Sequence, residues 1–130
     1  MPASNKIMLI DDDRNFLESN RELLEACGYE VQTAFDGESG LELARCMRPD
    51  LIILDAMMRT EMEGFETARK IAADPALQQA RVIMLTGVSA AMHLPFDLEP
   101  DEQWLPVHRI LDKPIAPSLL IAEIEKALRC

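Results

Sequence analysis

The stretch that decides the fold is KIMLIDDDRNF, Lys6 to Phe16. Ile7-Met8-Leu9-Ile10 is a continuous apolar run, the pattern of a strand covered on both faces rather than one with a solvent side. It ends abruptly in Asp11, Asp12 and Asp13. Three adjacent carboxylates repel one another, so their place at the end of a buried strand calls for something positive. Asp13 also stands where a helix cap belongs. From Arg14 to Cys27 the residues Phe16, Leu23, Leu24 and Cys27 fall on one helical stripe, and Gly28 supplies the stop.

The alternation continues outward from that stretch. Tyr29 to Ala34 reads as a strand, and Asp36-Gly37 turns the chain into a helix carrying Leu41, Ala44 and Met47, which Pro49-Asp50 breaks. Leu51-Ile52-Ile53-Leu54 is a second fully buried run. Phe65, Ala68, Ile71 and Ala72 mark a helix ending before Pro75, and Val82 to Leu85 is another buried strand. Ile110-Leu111 is a short one, and Pro117 opens a last helix with Leu120, Ile121, Ile124, Ala127 and Leu128 on its apolar side. Between Leu85 and Ile110, Pro95, Pro100 and Pro106 leave room for at most a turn or two of helix. Such alternation requires right-handed crossovers and predicts an α/β doubly wound, five-stranded parallel sheet in the order 2-1-3-4-5, with ligands bound where strands one and three end.

A chain of 130 residues suits one domain, 1–130 with its core over about 6–128. A net charge of −10 argues against nucleic acid or an anionic membrane as partner. The apolar runs are too short for a signal peptide or a membrane span. Cys27, Cys46 and Cys130 are odd in number and far apart, which suits neither a disulfide framework nor a zinc site. Cys27 and Cys46 read as small core-facing residues late in helices, Cys130 as exposed. Reduced thiols and no export signal point to the cytoplasm.

The residues just past the buried strands form a consistent set. Asp11, Asp12 and Asp13 come after the first, Asp55 after the third, Thr86-Gly87 after the fourth and Lys113-Pro114 after the fifth. In a parallel sheet these ends share one edge. Asp11, Asp12 and Asp55 contribute −3, which one Mg²⁺ and Lys113 would balance, and Mg²⁺ favours carboxylates, retained waters and phosphate oxygens. A carboxylate beside Mg²⁺ and a lysine can attack phosphorus to form an acyl phosphate, with Lys113 and the Thr86 hydroxyl neutralising charge. An EF-hand starting at Asp11 is rejected, because Phe16 occupies the position that needs glycine and a strand precedes the loop. An Asp-nucleophile phosphatase of the haloacid dehalogenase type fits poorly: its nucleophile precedes the acidic pair, and here Met57 stands where its general acid belongs.

With these pieces in this order, IMLIDDD, PDLIILDAMM, VIMLTG and LDKPI, the sequence resembles the receiver domain of two-component response regulators over essentially its whole length. The resemblance implies the flavodoxin-like form of the sheet and a phosphoryl group accepted on Asp55 from the phosphohistidine of a sensor histidine kinase. It implies Mg²⁺ (or Mn²⁺) held by Asp11, Asp12, Asp55 and the Met57 carbonyl, contacts from Thr86 and Lys113 to the phosphoryl group, and a cis Lys113–Pro114 peptide. Transfer and hydrolysis would be self-catalysed. Three departures stand out. Arg59 replaces the usual proline, with one extra residue before Gly64, so the loop after Asp55 is expected to be reshaped, with Arg59 or Glu61 able to touch the pocket. Ile110 replaces the aromatic that usually turns inward with the threonine. The segment Ser89 to Pro106 replaces a regular fourth helix, which is expected to be shortened or to become an irregular loop anchored by Phe96 and Trp104. His93 and His108 read as surface residues. Because the last helix runs to Cys130, the expectation is a single-domain regulator working through protein–protein contacts or a histidine phosphotransfer domain. The alternatives are a receiver cut from a hybrid kinase and a pseudo-receiver, an interaction module that phosphate does not regulate.

Overall fold

In the computed structural model, residues 5–56, 58, 63–87 and 106–129 are described. Five strands, β1 (Lys6–Ile10), β2 (Glu30–Ala34), β3 (Leu51–Asp55), β4 (Arg81–Gly87) and β5 (Arg109–Lys113), form one sheet in the order β2-β1-β3-β4-β5. Every neighbouring pair is parallel. Among the described residues four α-helices accompany them: α1 (Arg14–Ala26), α2 (Gly37–Met47), α3 (Glu63–Ala73) and a C-terminal helix (Pro117–Arg129). This is the strand order that the alternating pattern predicts and the flavodoxin-like arrangement that the resemblance implies. The expectations for the Ser89–Pro106 segment, Phe96, Trp104, His93, Arg59, Glu61, Met57 and Cys130 fall on residues outside the described set, except for Pro106 itself.

The continuous apolar runs are continuous because both faces of the sheet are covered. Ile7, Leu9, Ile53 and Leu85 pack with Leu17 and Leu24 of α1 and with Leu120 and Ile124 of the C-terminal helix. Met8, Ile10, Leu54 and Met84 point the other way, into a cluster with Leu41 and Ala44 of α2 and Phe65, Ala68 and Ile71 of α3. The helix caps stand where the sequence puts them. Asp13 accepts from the backbone N–H groups of Asn15 and Phe16 at the start of α1. Gly28, just past the end of α1, has a φ of +98°, a conformation in which a Cβ is strained. Asp36 caps α2, accepting from Ser39, and Arg48 ends that helix in the left-handed region.

Two helix-face expectations need correcting. Cys27 and Cys46 are exposed, not core-facing. Cys27 lies one residue past α1 as its C-cap, and Cys46 sits on the solvent side of α2 between buried Ala44 and half-buried Met47. On α1 the deepest positions are Leu17 and Leu24, while Phe16 is only partly covered. The stripe is therefore rotated slightly from the one that Phe16, Leu23 and Cys27 suggest.

His108 has a structural task. Its N–H donates to the Val82 carbonyl at 2.8 Å, and its Nδ1 accepts the Val82 N–H at 3.0 Å, so it extends the β4–β5 ladder by one step. Partial burial, and secondarily the charge of Arg81, holds the imidazole below its ordinary value of 6.5. Protonating Nδ1 would also break the bond from Val82. As pH falls below about 6.5 the unfolded chain takes up a proton that the folded one resists, so this group's contribution to stability is complete above that value and shrinks below it. Urea denaturation from about pH 8 to about pH 5.5 is expected to show the parent's advantage over His108→Gln narrowing toward the acid end. An advantage that is constant or widens contradicts this reading.

Candidate functional site

The carboxyl ends of β1, β3, β4 and β5 meet at one edge of the sheet. Asp11 follows β1 directly, and its N–H donates to Ala34 at the end of β2, which fixes its backbone. Its side chain is 2 % exposed, and Oδ1 accepts the Asp13 N–H at 2.9 Å. Asp55 ends β3 and is 7 % exposed. Asp12 faces solvent beside them, and carboxylate oxygens of Asp11, Asp12 and Asp55 all lie within 4.8 Å of one another. Such spacing lets one ion touch all three.

Lys113 closes the pocket from β5. Its Nζ lies 2.5 Å from Asp11 Oδ2 and 3.7 Å from Asp55 Oδ1. The same ammonium stands 4.4 Å from the centroid of the Phe16 ring, so α1 supplies an aromatic face that steadies the cation. Formal charges leave the group at −2, three carboxylates against one lysine. The donors are all oxygen, their separation is small and one of them faces solvent, so the set suits a hard divalent cation better than zinc or copper. The Lys113–Pro114 peptide is cis, as the resemblance implies.

The structure brings Asp11, Asp12, Asp55 and Lys113 together. Thr86 lies on β4, one register step beyond the Asp55–Leu85 pair, and is 1 % exposed. Its hydroxyl donates to Asp112 Oδ1 at 3.3 Å, a partner that nothing in the sequence announces. Ile110 is half-buried against the α2–α3 side of the core. Glu63, also unforeseen, opens α3 with a buried carboxylate that accepts the Gly37 N–H of α2 at 2.9 Å. Beside it, the Gly64 N–H donates to the Ala56 carbonyl at 3.0 Å, and a Cβ on Gly64 would collide with the backbone oxygens of Asp55 and Ala56. The chain after Asp55 is thus tied down again where α3 begins.

The molecule is a doubly wound α/β domain whose parallel strand ends gather an acidic cluster and a bridging lysine. The chain belongs to the response regulator receiver domain family, which it matches over residues 7–125. It is 34% identical over 130 residues to the response regulator PleD of Caulobacter vibrioides, covering 97% of this chain and 26% of PleD. It is 36% identical over 125 residues to the transcriptional regulatory protein CpxR of Escherichia coli, covering 96% of this chain and 50% of CpxR. The chain therefore spans between about a quarter and a half of these two relatives. Among solved structures, the Vibrio cholerae chemotaxis protein CheY4 is similar at a TM-score of 0.80 and 26% identity, covering 97% of this chain and all of CheY4.

The charge imbalance predicts a measurable stabilisation by metal. With Mg²⁺ at about 100 times its Kd, the free energy of unfolding is expected to rise by about 2.7 kcal/mol. The rise should be strongly reduced in Asp12→Asn, whose carboxylate is exposed and makes little demand on the fold. Equal stabilisation of the two proteins by Mg²⁺ places the ion elsewhere.

Proposed function

We propose that this chain is a phosphorylation-controlled receiver in which Asp55 accepts a phosphoryl group from the phosphohistidine of a sensor histidine kinase or a histidine phosphotransfer domain. The observation that carries the reading is the Lys113 ammonium bridging Asp11 and Asp55 with Asp12 alongside. An Asp55 oxygen attacks phosphorus, the phosphorus–nitrogen bond breaks, and the electron pair leaves with the imidazole, which takes up a proton. Lys113 is placed to follow the charge from the carboxylate to the phosphoryl oxygens, and the Thr86 hydroxyl supplies a further donor. Asp11 and Asp12, with Asp55, would hold Mg²⁺, or Mn²⁺ of the same charge and oxygen preference, and such an ion would supply positive charge to the phosphoryl oxygens. Hydrolysis of the acyl phosphate by water restores Asp55 and resets the switch, so both steps are catalysed by the receiver on itself. Output through protein–protein contacts and a cytoplasmic setting belong to the same proposal. Exposed, free Cys27 and Cys46 suit a reducing compartment.

Incubation with Mg²⁺ and acetyl phosphate, followed by intact mass, tests this directly. The parent is expected to gain one phosphoryl group that is lost on chelation and over time, and Asp55→Asn none. A parent that gains nothing from acetyl phosphate or from any phosphorylated kinase is an interaction module and not a switch.

A further inference from the structure

The Thr86 hydroxyl has one proton to give and two claimants for it. Thr86 and Asp112 are register partners on neighbouring parallel strands, so their side chains leave the sheet on the same face. That face is the one carrying Met84 and Ile110, two residues earlier on each strand. Thr86 is almost wholly buried and needs a hydrogen-bond partner, which the Asp112 carboxylate provides. The next residue, Lys113, alternates away and serves the acidic cluster instead. Two consecutive residues at the end of β5 thus hold the two halves of the site. Ile110, on the same face as Asp112, has no group that could accept the proton.

We propose that Asp112 is a positioning residue for Thr86, holding its hydroxyl along the sheet until a phosphoryl oxygen on Asp55 competes for the same proton. The proposal rests on the phosphoacceptor reading of Asp55. Donation to Asp112 and donation to the phosphoryl group exclude each other, so the unphosphorylated state is held by a bond that phosphorylation must break. Asp112 is exposed, so the bond is open to competition from water and restrains the hydroxyl only modestly.

Two measurements test this, with separate failures. Without any phosphodonor, NMR of the Thr86 methyl group should report one dominant side-chain rotamer in the parent and in Asp112→Asn, and averaging in Asp112→Ala; an unchanged Thr86 signal in Asp112→Ala overturns the proposal. With acetyl phosphate and Mg²⁺, Asp112→Ala should be phosphorylated about threefold faster than the parent, Asp112→Asn should lie closer to the parent, and in a Thr86→Val background Asp112→Ala should have no such effect. Equal acceleration by Asn and Ala, or the same acceleration without the Thr86 hydroxyl, would mean that only the charge of Asp112 matters, which contradicts the proposal. A parent that takes up no phosphoryl group contradicts the function proposed above and the competition with it, while the NMR measurement still decides whether Asp112 holds the hydroxyl.

Discussion

Lys113 reaches from the end of β5 to Asp11 at the end of β1 and toward Asp55 at the end of β3, and this one cation organises the functional edge of the molecule. The order of the sheet makes the contact possible. β1 and β5 are 102 residues apart at this ion pair, yet only β3 and β4 separate their strands. Because all neighbouring strands run parallel, their carboxyl ends share an edge, and each can contribute one polar group without disturbing the apolar layers behind it. Burial of Asp11 is tolerable because the Lys113 ammonium and the Asp13 N–H satisfy its carboxylate, and Asp55 lies within ion-pair range of the same ammonium. Neutralisation is incomplete, because one lysine cannot balance three carboxylates. The residual negative charge is what suits the pocket to a cation.

The pocket is supported from several sides. Asp13 spends its carboxylate on the N-terminus of α1, so that of the three consecutive acids only two are left for an ion. Phe16, on the first turn of the same helix, places its ring under the Lys113 ammonium. On the far side of Asp55, Gly64 lies against the backbone of Asp55 and Ala56, and Glu63 ties the start of α3 to the start of α2. These contacts fix the backbone of Asp55 and Ala56, and they explain why α2 and α3 begin close together. The polar ends of the helices and the polar ends of the strands therefore form one connected structure.

Much of this was legible in the sequence because the signals are local. A four-residue apolar run without alternation announces a strand covered on both faces, and Asp13, Asp36 and Gly28 mark helix ends through bonds or dihedral angles within a few residues. Asp11, Asp12, Asp55 and Lys113 were identifiable because topology alone brings strand ends together. What escaped depended on the rotation of elements or on long-range partners. Cys27 and Cys46 look apolar, but a helix buries only the residues turned toward the sheet, and a small rotation moves the edge of the stripe to Leu17. Asp112 reads as an ordinary acid before a lysine until the β4–β5 register sets it beside Thr86. Glu63 reads as a helix-start acid until its carboxylate is seen on Gly37, 26 residues away.

If the acids at the ends of β1 and β3 form a divalent-cation site that Lys113 leaves with excess negative charge, the ion's position can be measured directly. Substoichiometric Mn²⁺ added to an isotope-labelled sample reports the ion's position through paramagnetic broadening of backbone amide signals. The account predicts that the amides of Asp11, Asp12, Asp13, Asp55 and Ala56 broaden first, and that excess Mg²⁺ restores them. Broadening centred on another part of the surface, or spread evenly over the exposed acids, would contradict it.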